Sequence, residues 1–370
     1  MYSGFCFNTL SGGPVLLLCL FILACAFTSA GAREKLETPF VIPDTNTLTR
    51  TEFSCPELLL EPLRKLYFNS AYDQSDPSRS RIDPEAQRDY RKAVSPIRDF
   101  ENRLINISND YLRSAGGQPE YAQCVLDWIY EWARKKALLG NANKMGVIIR
   151  HWLLATISSA YSQIEKEGSL DKRKRRKVEK WLKKAADEVI RDYPNGSHLN
   201  RKRNNHLYWA AWAVMITGVA LDNKELYEWS IGRAKFAITR QLHGDGTLPL
   251  EMARKNKAYH YHVFAAAPLV MIAETGMRNG DNLYEIRDGI MHRLIKRIIY
   301  EMDNPGYFRK KTGIEQIGLP DISSSHFGWM EVYQSRFPRA DIKRWLKELR
   351  PMQQRRTGGD MTFLFGRLKD

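Results

Sequence analysis

The sequence predicts an all-α domain, on three observations. Apolar side chains recur at helical spacing in one stretch after another: 121–139, 144–166, 172–192, 206–221, 224–242, 258–275 and 282–302. Short breakers separate them, reading GNAN, KEGS, YPNGS, LDN, HGDG and GMRNGD. The period-two alternation of strands is hard to find anywhere in the chain. Helices joined by such short connections fold as stacked helical hairpins.

The N-terminal region reads differently. Residues 1–32 carry no charged side chain, and PVLLLCLFILACAF from Pro14 is an apolar run of signal-peptide length. Ala30-Gly31-Ala32 then fits an A-x-A cleavage site before Arg33, so a periplasmic or secreted mature protein is expected. The leader lacks Lys and Arg, and Ile22-Leu23-Ala24-Cys25 leaves lipid attachment at Cys25 as an alternative. Residues 33–53 have no clear period and read as an extended arm. Helical signals begin at CPELLLEPLRKLYF, with Pro56 in a first-turn position. Residues 69–86, polar and punctuated by proline, read as a long surface loop of the kind that forms lids. A single domain over 54–370 is expected.

The chain has 57 Lys and Arg against 42 Asp and Glu, a formal charge of +15. All of that charge stays on the mature protein, because the leader has none. A basic protein outside the cytoplasm fits an anionic polysaccharide or lipid better than nucleic acid. No stable membrane insertion is expected once the leader is removed, and a monomer is expected. DKRKRRKVEK from Asp171 looks like a basic patch, but it opens a helix, and a solvated helical face explains it at less cost. Three of the five cysteines lie in the leader. Cys55 and Cys124 remain, as one disulfide closing a long loop or as two separate buried thiols.

Two segments carry chemistry. NNHLYWAAWAVM, from Asn204, places an amide and an imidazole, Asn205 and His206, at the first turn of an apolar helix, where free N–H groups and the helix dipole favour anions. On that run alone, an N-capping asparagine and a core histidine explain the residues equally well. EMARKNKAYHYHVF, from Glu251, places Arg254, Lys257 and Tyr261 three, four and seven residues apart, as on one helical face, with His260 and His262 flanking the tyrosine. Neither segment has metal-ligand spacing, a phosphate loop or a serine elbow, and no cofactor is implied.

β-Elimination from a polyuronate needs this inventory. A cation and an amide on the substrate carboxylate stabilise the charge that grows there as H5 is lost. A His or Tyr can remove that proton, and a Tyr can protonate the departing O4. A free tyrosine titrates near about 10, so Arg254 and Lys257 are expected to bring the phenolate within reach. Tyr208 and Trp209 share the helix face of Asn205 and His206 and are candidates for substrate contact, with burial in the core as the competing account.

NNHLYWAAWAVM together with LPLEMARKNKAYHYHVFAAAPLVMIA resembles the alginate lyases of polysaccharide lyase family five. CVLDWIYEWARKKALL from Cys124 is similar to that family's Cys-x-L-x-W…W-A-R segment, and HFGWMEVY from His326 to its closing Trp-x-E-x-Y stretch. The resemblance spans roughly residues 55–333. It implies an incomplete (α/α) toroid around a long cleft, in a periplasmic enzyme that depolymerises mannuronate-rich alginate without a metal. It also implies that Asn205 neutralises the substrate carboxylate, with His206 as neutraliser or base, and that Arg254 is the catalytic arginine. Tyr261 is then the catalytic tyrosine, serving as base and acid in syn elimination. Lys257, His262, Trp209 and Tyr208 are assigned to substrate binding. One position departs: the family's lid reads Ser-Lys-Tyr, and here SAYDQSD has Ala71 at the lysine. Lys65, Arg79 and Arg81 are the nearby cations available to replace it. Phe264 and Ala267 stand where the family usually has Tyr and Pro.

Overall fold

The computed structural model describes residues 35–40, 52–115, 117–194, 203–317 and 322–366. The leader, its cleavage site and Cys25 lie outside the described residues, as do 41–51 of the arm. Residues Leu36–Asp370 form one compact unit, which therefore begins in the arm rather than at 54. Leu36 N–H donates to the Asp222 carboxylate at 3.0 Å, Glu37 N–H to Asn279 Oδ1 at 2.8 Å, and Phe40 is buried.

The helices pair in chain order: α1 (Pro84–Arg113) with α2 (Pro119–Arg134), α3 (Lys144–Ile164) with α4 (Lys172–Asp192), and α5 (Asn205–Ala220) with α6 (Lys224–Phe236). A one-turn helix, α7 (Pro249–Met252), precedes the pair α8 (Ala258–Arg278) and α9 (Ile286–Asp303). After the short α10 (Tyr307–Thr312), α11 (Trp329–Arg336) packs on α8 and α12 (Ala340–Leu349) on α11. The contacts run α1 to α3 to α5 to α8 to α11, which makes these the inner row of an (α/α) toroid. Burial follows the layers: every residue of α5 from Leu207 to Ala220 is buried, whereas α4 buries only Val178, Trp181, Leu182, Ala185, Ala186 and Val189 on one side. Asp83, Asn143, Asp171, Asn204 and Asn223 cap their helices by accepting first-turn N–H groups.

The C-terminal segment closes the body against α1 and α3. A two-residue hairpin, β1 (Gln353–Gln354) with β2 (Gly359–Asp360), carries a 3₁₀ turn, Arg355–Thr357. The Asn109 amide donates to Gly358 O at 2.8 Å and accepts from Asp360 N at 2.7 Å, while Gln163 donates to Gly358 O at 2.8 Å. Gly359 has φ +98°, and a Cβ there would lie 2.3 Å from Asn109 Oδ1, so only glycine fits.

Three expectations need correction. Residues 52–68 form no helix. Pro56 and Pro62 interrupt the pattern, and the backbone pairs instead with the segment after α2: Leu138 N–H donates to Leu63 O at 2.8 Å and Leu66 N–H to Asn141 O at 2.9 Å. Leu66 is fully buried and runs so close to α3 that a Cβ on Gly146 would sit 1.8 Å from its carbonyl oxygen. The long helix α1 lay outside the stretches singled out by periodicity. Finally, Arg254, Lys257 and Tyr261 do not share one α-helix. Arg254 precedes a 3₁₀ turn, Lys255–Lys257, in which Lys255 has φ +52°, and only Tyr261 belongs to α8. Cys55 and Cys124 are joined as a disulfide, tying the extended segment to α2 across 69 residues of sequence.

Candidate active site

The first turn of α5 and the entrance of α8 meet at a buried carboxyl group. Glu251, in α7 and wholly buried, accepts from the Asn205 backbone N–H at 2.7 Å and from its side-chain Nδ2 at 2.8 Å. A carboxylate only accepts, so the pairing sets the orientation of the amide. It leaves Asn205 Oδ1 buried without a partner among the described residues. Burial lifts the Glu251 carboxyl to about 7, against the pull of the two Asn205 N–H groups and of Arg254. Sequence reasoning missed Glu251 in this role.

His206 follows on the same turn. Burial first, then Arg254 and Arg356, push its imidazole down to about 3, so it is neutral, and Nδ1 has no partner among the described residues. Behind it stands buried His151, with ring centroids 6.2 Å apart, likewise held well below the usual histidine range by burial. Trp152 lies 6.3 Å from His206, and the Arg356 guanidinium stacks 3.9 Å from the Trp152 ring. Arg356 is itself lowered to about 9 by burial and Arg355, although Glu101 opposes this. Tyr90, Arg98, Glu101, Trp152 and Arg356 line a small recess on this side.

Tyr261 sits on the other side, under the loop 69–86. Its hydroxyl is 2.7 Å from that of Tyr72, and the Arg254 guanidinium lies 3.6 Å from its ring centroid. Burial and then Tyr72 drive the phenol well above the ordinary tyrosine range, outweighing Arg254. The expected easy phenolate is therefore absent in the closed site, because desolvation dominates. Lys257 Nζ donates to Tyr72 Oη at 3.3 Å and lies 4.5 Å from that ring's centroid. Arg254 Nη2 donates to Arg79 O at 2.6 Å, fastening the loop from below. Within the loop, Asp76 accepts from the backbone of Ser78, Ser80 and Arg81, and Arg81 pairs with Asp73 at 2.6 Å. None of Lys65, Arg79 and Arg81 replaces the lysine missing at 71 by reaching Tyr72. Lys257 reaches it, from the body of the protein.

Three assignments to substrate contact fail on burial. His262 is fully buried, its Nδ1 lying 2.7 Å from Ala258 O and its Nε2 accepting from Leu248 N at 2.8 Å, so both nitrogens hold the entrance of α8. The Tyr208 hydroxyl donates to Gln241 Oε1 at 2.9 Å, and the fully enclosed Trp209 packs 5.1 Å from Phe264. His260, flanking Tyr261, instead faces His326 at 5.1 Å between ring centroids, and burial lowers the two to about 3 and about 4.

Comparison with known proteins points to one family. The family model described as Alginate lyase matches residues 67–308. A polysaccharide lyase of Stenotrophomonas maltophilia (strain K279a) is 34% identical over 78% of this chain and 85% of its own. An alginate lyase of Pseudomonas syringae pv. syringae is 32% identical over 94% of this chain and 93% of its own. Among solved structures, alginate lyase A1-III from Sphingomonas species A1 superposes with a TM-score of 0.72 at 29% identity, covering 85% of this chain and 88% of that one. A histidine-to-alanine variant of A1-III complexed with tetrasaccharide gives 0.77 at 27% identity, covering 90% and 97%.

Proposed function

The chain belongs to the alginate lyase family, and on that premise we propose that it cleaves mannuronate-rich alginate by β-elimination at the site built from Asn205, His206, Arg254 and Tyr261. The observation that carries the assignment is a set of buried polar atoms without partners among the described residues: Asn205 Oδ1, His206 Nδ1 and Arg254 Nε. Orphaned groups of this kind are costly unless a ligand satisfies them. A uronate carboxylate, with its ring hydroxyls, supplies both acceptors and donors.

The mechanism follows from the protonation states. Arg254 and the free Nδ2 hydrogen of Asn205 neutralise the substrate carboxylate, and their attraction strengthens as charge spreads into it from C5. His206 is already in the acceptor form and takes H5. The arriving carboxylate offsets Arg254 and Arg356, two of the causes that hold the imidazole pKa down, so basicity rises when substrate is bound. Tyr261, a neutral phenol, gives its proton to O4 as the C4–O4 bond breaks. Its proton is replaced through the Tyr72 hydroxyl, which touches the loop and Lys257, and the His206 imidazolium, disfavoured by Arg254 and Arg356, gives the H5 proton to water as the product leaves. The products are a new reducing end and a 4,5-unsaturated uronate.

The test is incubation with mannuronan, guluronan, polyglucuronate and hyaluronan while following the ultraviolet absorbance of unsaturated ends. Mannuronan is expected to react fastest. Fastest reaction with polyglucuronate would move the assignment to that polymer, a second reading that Ala71 in the lid favours; silence on all four polymers would overturn the lyase reading. The uncharged leader and the disulfide support export to the periplasm or beyond.

A further inference from the structure

The basic run that opens α4 has no part in the chemistry above. Arg173, Arg176, Lys177, Lys180 and Lys184 are exposed, and at 100° per residue they fall within a third of the helix circumference. The stripe is about 16 Å long, from the rise of 1.5 Å per residue. The neighbouring cations are neutralised: Lys174 by Asp127 at 2.7 Å, Arg175 by Glu179 at 3.0 Å and Lys183 by Asp187 at 2.7 Å. Arg173 faces the capping Asp171, whereas Arg176, Lys177, Lys180 and Lys184 form no ion pair among the described residues. Lys177 Nζ lies 5.2 Å from the centroid of the Tyr130 ring.

This arrangement opposes the helix that carries it. Like charges at i,i+3 and i,i+4 repel, and the cations of the first turn oppose the helix dipole, with the capping Asp171 as their counterweight. A solvated face needs neither feature. A linear polyanion lying along the stripe relieves both at once, and its carboxylates, one per sugar ring, recur on the scale of the helical pitch.

Position supports the same occupant. At the far end of α4, Asp192 accepts from Arg150 at 2.7 Å, and the next residue, Tyr193, reaches His151, which stands behind His206. The stripe occupies the N-terminal part of α4, and the helix continues from it along the outer layer to the catalytic end of the toroid at Asp192.

We propose that this face of α4 is a second, non-catalytic polyuronate site, holding a remote stretch of the chain whose other stretch occupies the cleft. The proposal rests on the lyase reading for its ligand. Two contacts on one polymer raise the effective concentration at the cleft, an advantage that a short oligomer cannot use.

The experiment compares wild type with R176Q/K177Q/K180Q/K184Q and with a control that removes equal charge elsewhere, K296Q/K310Q/K343Q/K347Q. The stripe variant is expected to raise KM for long polymannuronate about five-fold while leaving tetrasaccharide kcat/KM unchanged. Its polymer KM should also depend less on salt. An unchanged polymer KM, or an equal rise in the control, overturns the site. Calorimetric binding of polymannuronate to the same variants in a Tyr261→Phe background reads the stripe without turnover, so failure of the lyase reading and failure of this one are separable. Preferential binding of anionic lipid vesicles or oligonucleotides over polymannuronate, lost in the stripe variant, would also overturn it.

Discussion

The Glu251 carboxylate accepts both N–H groups that Asn205 directs at it, at 2.7 and 2.8 Å, and it does so in a place where burial raises its own pKa to about 7. The amide proposed to face the substrate is thus aimed by an acid that titrates near neutrality.

Glu251→Gln should lower kcat/KM by about 100-fold, the scale of losing one preorganised donor. Its amide has one acceptor where the carboxylate has two. In the wild type, protonation does the same, so kcat/KM should fall as pH drops below about 7, and the variant should lack that limb. An unaltered limb in the variant would show that another group controls it. The stability contribution has the opposite sign. A carboxyl raised from 4.5 favours the fold fully below that value and loses the contribution as pH rises through about 7.

Tyr261→Phe removes the proton donor and leaves the ring in place over Arg254. A loss in kcat of about a thousand-fold is expected, within the range for general acid catalysis, with tetrasaccharide affinity nearly kept. Retained turnover would remove Tyr261 from the reaction.

Lys257→Met should open the lid, because Tyr72 then loses its only cationic donor among the described residues. About a ten-fold rise in KM is expected for one charge-assisted hydrogen bond, with kcat changing much less. Adding Ala71→Lys should recover part of the loss. A fall in kcat alone would place Lys257 in the proton transfers instead.

Cys55→Ser with Cys124→Ser releases a loop of 69 residues and should destabilise the protein by about 4 kcal/mol on the loop-entropy relation. Denaturant unfolding of the variant measures this, and reduced wild type should match it.

Acid should unfold the protein early. His206 and His260 are held near about 3, His262 and His326 near about 4, each first by burial, and His151 is also lowered well below its ordinary value. A histidine depressed in the fold contributes stability that is present above its unfolded value of 6.5 and lost as pH falls toward the folded value. The melting temperature should therefore decline from pH 6.5 downward. A flat profile to pH 4 would show that these rings are wetter than the structure has them.

The sequence made the helical body legible where local signals and packing agree. The bounds of α4 are visible because Asp171 caps it and its apolar face keeps one period to Asp192. The segment 52–68 misled, since Leu59, Leu63 and Leu66 imitate a helical period at i, i+4 and i+7 while the chain spends its hydrogen bonds on the residues after α2. Asn205, His206, Arg254 and Tyr261 were visible as residue types in two short runs. Glu251 was not, because nothing local marks an acid whose partner lies 46 residues earlier. Tyr72 and Arg356 reach the site from segments remote in sequence, and no spacing rule links them to α5 or α8.

The tie between Asn109 and Gly358 has a consequence for timing. Arg356, which bears on both Trp152 and His206, lies in a segment held by α1 and α3 through Asn109 and Gln163. A growing chain can build α1 to α9 and still lack one wall of its cleft. Catalytic competence should therefore appear only when residues 353–366 have docked on the first helix, and a nick between α12 and β1 should silence the enzyme while most of its helices stay folded.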